Sequence, residues 1–187
     1  QRNYAFALLQ SVLPTLENKD LTPPLGTDER QAVADAYYIL AERIKFGLMN
    51  ESSENPENDF QTMCKYYQRS FAYNPEANAL HIANLYTELT AFGKELSKLY
   101  HKDLMPIAQL QKLEQEFTVL IDRSDNSKNT KEQAVRKIKT RNADVYFQTA
   151  LEIKEKIEAY EKNQNAPEEV LAELKKEYES LLTAAQK

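Results

Sequence analysis

Asp122, Ser124 and Asn126 stand at alternate positions, the spacing at which short oxygen-bearing side chains open a calcium loop. A working loop of that kind also needs a glycine for its sharp bend and a glutamate to grip the ion with both oxygens. Here Ser127 and Gln133 hold those two places, so calcium binding is not expected. The two histidines, His81 and His101, lie twenty residues apart, and neither follows a glutamate at the i−3 position used by di-iron bundles and zinc proteases. Three scattered glycines, Gly26, Gly47 and Gly93, leave no phosphate-cradling loop. Cys64 is the single cysteine, so neither an intrachain disulfide nor a thiolate zinc cluster can form; on an apolar helical face it reads as a core thiol. No catalytic residue, metal ligand or cofactor site is expected from these patterns.

Three further patterns have simple readings. Asn50-Glu51-Ser52 is a glycosylation triplet that carries meaning only in a secretory context. Lys128, Lys131, Arg136, Lys137, Lys139 and Arg141, opposed by Glu132, could meet phosphates or a lipid surface, but helical phase spreads them around the cylinder and a solvated basic face is expected. Of the eleven tyrosines, Tyr37, Tyr67 and Tyr86 lie on core stripes, whereas Tyr38, Tyr66, Tyr73 and Tyr100 fall off them. Half-exposed tyrosines can anchor a bound peptide, because they immobilise much area at small entropic cost.

Helices must position these groups. Leu, Glu, Lys, Ala and Gln are abundant and apolar positions recur at helical spacing, which gives an all-α class; at 187 residues the chain holds one generous domain or a domain with an appendage. Its formal charge of −5 gives no signal for nucleic acid as main partner. The most apolar run, 4–13, falls short of the roughly 20 residues that span a bilayer, so no transmembrane segment is expected. The chain opens on Gln1 inside an apparent helix, which reads as a processed chain or an excised fragment. A lone buried thiol is compatible with any compartment, so the location stays open between a cytoplasmic chain, which is slightly favoured, and a processed secreted or periplasmic one.

In order, a helix is expected at 2–13 with Ala5, Leu9, Val12 and Leu13 on one side and Pro14 at its end, then a loop at 17–27. Thr27 caps a helix running to about 49 on the stripe Val33, Tyr37, Leu40, Ala41, Ile44, Leu48. After an acidic loop at 50–58, helices follow at 58–73 and 76–101. Phe60, Met63, Cys64, Tyr67, Ser70 and Phe71 share one face on the first, and Ile82, Tyr86, Leu89, Gly93 and Leu96 on the second, across a short turn at Asn74-Pro75. Asp103 and Pro106 start a helix carrying Leu110, Leu113, Phe117, Leu120 and Ile121. Beyond a polar break at 122–129, Thr130 and Gln133 have capping-box spacing and open a long helix through Ile138, Val145, Thr149, Ile153, Ile157 and Tyr160. A last helix after 167 shows Leu171, Leu174, Tyr178, Leu181, Leu182 and Ala185. From residue 130 onward eleven bases balance eleven acids, so the whole net charge lies upstream and a boundary is expected there. The expected organisation is a helical domain at 1–129 and a charged helical hairpin at 130–187, whose narrow seam must find a partner in the first domain or another chain.

Segment 37–75 resembles the tetratricopeptide repeat. Tyr37, Leu40, Ala41 and Ile44 stand at the spacings of that repeat's first helix, and Met63, Tyr67, Ser70 and Pro75 at those of its second. Ala79, Ile82, Ala83 and Tyr86 would make a degenerate second repeat; Phe6, Leu9 and Pro14 give a weaker upstream echo. About ten extra residues around 50–58 depart from the pattern. The resemblance implies antiparallel hairpins stacked in a curved array, with a peptide or helix bound on the inner side. Family members that clamp a C-terminal carboxylate use Lys and Asn on that side. Tyr38 and Glu42 hold the corresponding positions, so that chemistry is not implied. Helical phase instead places Tyr38, Glu42, Lys45, His81 and Asn84 along a partner-binding groove for a mixed aromatic and polar peptide. The expected function is thus a non-enzymatic adaptor for a protein or peptide partner, without cofactor. A second expectation is a structural bundle that self-associates through 130–187, and a third is an enzyme lacking any recognisable motif.

Overall fold

The first amides of a helix have no partner within it, and at three of the helix starts below a side-chain oxygen accepts one of them. The structure, a computed structural model, describes residues 7, 10–15, 25–74, 76–162 and 167–186, and all regular secondary structure among them is α-helical. A short helical piece covers 10–15, so Pro14 lies within its last turn; Ala5, Phe6 and Leu9, with the expected start at 2, lie outside the described residues, as does Pro75. The first full helix, α1 (Thr27–Met49), starts one residue earlier than a Thr27 cap would place it. Gly26 holds the cap position and its N–H donates to Glu29 Oε2 at 2.8 Å.

Helix α2 (Pro56–Tyr73) has proline in its first turn, where no partner is lost, and Asn55 Oδ1 accepts from Asn58 N–H at 3.2 Å. Helix α3 (Ala79–Leu99) starts at Asn78, whose Oδ1 accepts from Leu80 N–H at 2.8 Å. It begins three residues later than the sequence suggests and ends before His101, whose φ of 51° lies in the left-handed region. Helix α4 (Ile107–Arg123) follows Pro106. Helix α5 (Lys128–Lys162) opens at Ser127, not Thr130: the Ser127 hydroxyl accepts from Thr130 N–H at 3.3 Å. Helix α6 (Glu168–Ala185) completes the order.

The chain divides into two compact units, 1–134 and 135–187, with the division inside α5, five residues past the polar break. In the first unit α1 packs along α2 and α3 along α4, while α2 also touches α3 and α4. Tyr67, Tyr86, Phe60 and Phe117 are the largest fully buried side chains; burying one such ring contributes roughly 1.5–3 kcal/mol. Tyr86 and Phe117 meet edge to face at 5.4 Å. Gly93 matters through its missing side chain: a Cβ there would lie 2.8 Å from Phe60 Cζ, so glycine lets α3 close onto the ring of α2. Leu13 joins Val33, Tyr37 and Leu40 in a cluster at the other flank of α1.

The second unit is leaner. Ile138, Val145, Ile153 and Ile157 of α5 and Leu181 of α6 are buried, while Leu171, Leu174 and Tyr178 are half-buried. The two helices are tied by Lys175 Nζ to Glu161 at 2.7 Å. Tyr160, expected on the seam, is exposed.

Candidate groove between α1 and α3

On α1, Tyr38, Glu42 and Lys45 recur at four and three residues, and on α3, His81, Asn84, Glu88 and Phe92 do the same, so each set forms one helical stripe. The fold sets the two stripes on either side of a groove of about 300 Å³ floored by Tyr67 and Phe71 of α2 and by Leu85 and Leu89 of α3. All five residues expected along a groove, Tyr38, Glu42, Lys45, His81 and Asn84, line this one.

Each has a definite setting. Tyr38 is 48 % exposed and stands with its ring edge-on to that of Tyr67, centroids 5.7 Å apart. Burial, and then the carboxylates of Glu42 and Glu88, push its hydroxyl above the ordinary tyrosine value. The buried Tyr67 hydroxyl donates a short hydrogen bond to Glu42, and burial followed by that bond pushes its pKa well up. Glu42 also faces Lys45 at 3.8 Å, and the Lys45 ammonium lies 5.7 Å from the centre of the Phe92 ring, at cation–π range. His81 and Asn84 are exposed on the α3 wall. The groove thus offers an apolar floor, a half-exposed aromatic edge and a rim carrying both charge signs.

Glu88 and Phe92 were not singled out from the sequence, although they continue the His81–Asn84 stripe at the next two turns. Of the off-stripe tyrosines, only Tyr38 belongs to the groove. Tyr66 and Tyr73 pack at 5.6 and 6.2 Å against the buried ring of Tyr37, and the Tyr100 hydroxyl donates to Leu48 O at 2.8 Å, so these three work inside the fold.

The calcium-like trio has a structural role. Asn126 Oδ1 accepts from Ala79 N–H at 2.5 Å at the start of α3, and Ser124 Oγ donates to Ile121 O at 2.7 Å. Among the described residues no three His, Cys, Asp or Glu side chains gather closely enough to hold a metal ion. Asn50 closes α1 by donating its side-chain amide to Phe46 O at 2.7 Å. Cys64 is buried, and burial pushes its thiol pKa far up, as for a thiol packed in a core. In the basic run, Lys131 Nζ donates to Asp122 O at 2.7 Å and Lys128 faces Glu132 at 3.8 Å. No helix of the described residues is long and apolar enough to cross a membrane. The chain matches no protein-family model, no curated protein and no solved structure.

Proposed function

We propose that this chain is a non-enzymatic, tetratricopeptide-like interaction module that takes a peptide or helix of a protein partner into the groove between α1 and α3. The observation that carries the reading is the meeting of Tyr38, Glu42, Lys45, His81 and Asn84 around one apolar-floored groove. Small recognition sites combine an apolar base with a few polar groups that fix orientation, and a half-exposed tyrosine is a recurrent anchor. A helix laid in the groove would bury its apolar stripe on Leu85 and Leu89 and meet the charged rim at its edges. The test is a crosslinked pull-down from the native source, comparing the intact chain with Tyr38→Ala and Asn84→Ala. Loss of a captured protein in both variants supports the reading; unchanged capture removes the groove from it.

A second reading is self-association through the second unit. It is favoured by Phe147 and Leu151, one helical turn apart on α5 and both exposed. Sedimentation across a concentration series distinguishes the two: a mass that rises with concentration and becomes monomeric in Phe147→Glu/Leu151→Lys supports self-association, and a monomer at all concentrations excludes it.

A further inference from the structure

The outward face of α2 is unusual for an acidic chain. Asn58, Gln61, Thr62, Lys65, Gln68 and Arg69 succeed one another along it over more than three turns without one carboxylate, in a protein with 29 acids and 24 bases. An ordinary solvated helix face intersperses both signs. The fold sets this stripe against Gln109, Lys112 and Glu116 of α4 to form a cleft of about 470 Å³. Lys65, Arg69 and Lys112, four side-chain amides and one acid, Glu116, line it. That acid is engaged, since Glu116 Oε2 accepts from Gln68 Nε2 at 2.8 Å. The Arg69 guanidinium stands 5.8 Å from the centre of the Tyr37 ring of α1, so its charge is engaged there and the cleft's charge rests on the two lysines. Among the described residues, neither Lys65 nor Lys112 is in an ion pair.

We infer that the cleft between α2 and α4 binds a small phosphate-bearing anion. Lys65 on α2 and Lys112 on α4 outnumber the one acid of the cleft, itself engaged by Gln68, and a phosphate group presents several acceptor oxygens to ammonium and amide donors together. The site stands apart from the groove, which lies across α2 on its other side and carries acids, and it does not depend on the groove binding anything. The shared chemistry is a phosphate monoester or diphosphate, free in solution or borne on a lipid headgroup.

The test uses the 187-residue chain, ¹⁵N-labelled, titrated with inorganic pyrophosphate. A parallel arm sediments it with phosphatidylcholine vesicles with and without phosphatidylinositol bisphosphate. The variant is Lys65→Gln/Lys112→Gln; both side chains are exposed, so it keeps the fold, which its thermal melt verifies. The control is Lys139→Gln/Lys156→Gln, on exposed sites elsewhere. The expected result is saturable shifts at the cleft amides with pyrophosphate, weakened about tenfold or more in the cleft variant and unchanged in the control. Vesicle pelleting abolished by the cleft variant identifies a headgroup as the source. Pyrophosphate binding with no pelleting identifies a soluble phosphate ester. Shifts that never saturate, or an affinity the cleft variant leaves unchanged, overturn the inference.

Discussion

The groove facing α1 and α3 rests on Tyr67, Leu85 and Leu89 and has Glu42 and Glu88 on its rim, whereas the cleft facing α2 and α4 is walled by amides, Lys65 and Lys112. Both open on α2. Tyr67 supplies the groove and Cys64, Lys65 and Gln68 the cleft, from neighbouring positions on one cylinder. The contrast shows how one half-buried helix can present two unrelated surfaces. Its apolar positions are committed to packing, and the flanking ones are free to differ because water tolerates either chemistry.

If α2 is the common wall, damage to its packing should abolish both surfaces together. Phe60→Ala removes a fully buried ring beneath Gly93 and should cost about 3–5 kcal/mol in urea denaturation, with pyrophosphate binding and partner capture lost in parallel. Loss of one surface alone would break the comparison. Gly93→Ala approaches the same contact from α3. The added methyl must displace a buried ring, at a cost of about 1–3 kcal/mol that the better helix propensity of alanine offsets by up to about 1 kcal/mol. A lowered thermal midpoint checks it, and a raised one would show that Phe60 moves aside freely.

Smaller changes should separate the faces. Tyr67→Phe deletes the hydrogen bond to Glu42 and should cost about 1 kcal/mol while sparing the cleft. It should also alter the alkaline behaviour. Burial and Glu42 raise the Tyr67 pKa in the folded chain, so the fold holds that proton more tightly than the unfolded chain does. The stability from this group is intact below the ordinary tyrosine value of about 10 and is lost as pH climbs above it. Denaturation above that point should therefore show a flatter pH slope in Tyr67→Phe, with a remaining slope because Tyr37 is shifted in the same direction. Smallest of all, Lys65→Gln/Lys112→Gln should change stability by no more than about 0.5 kcal/mol while altering anion binding, since exposed side chains without ion pairs contribute little to folding.

The buried stripes were legible in the sequence because a helix repeats its inward face every three or four residues: Tyr37, Leu40, Phe60, Tyr67, Tyr86 and Phe117 are all buried. Helix starts were less so. Thr27 and Thr130 have good capping chemistry, yet Gly26, with no side-chain acceptor, and Ser127 hold those places, because the chain's path decides which residue enters the helix first. The groove residues were found from phase alone, on the assumption that α1 and α3 turn their stripes toward each other. Glu88 and Phe92 were missed on a stripe already half named. Asn126 could not be assigned to Ala79 from sequence, since that bond joins residues 47 positions apart.

By itself the sequence determined that this protein is helical, where its apolar faces run, and that Cys64 lies inside, because these follow from local periodicity and from the cost of exposing apolar surface. The tertiary structure alone decided which stripes face one another. A helix surface can turn toward any neighbour, and only the packing of α2 against three others, with Gly93 admitting Phe60, sets acids and rings around one opening and cations and amides around the next.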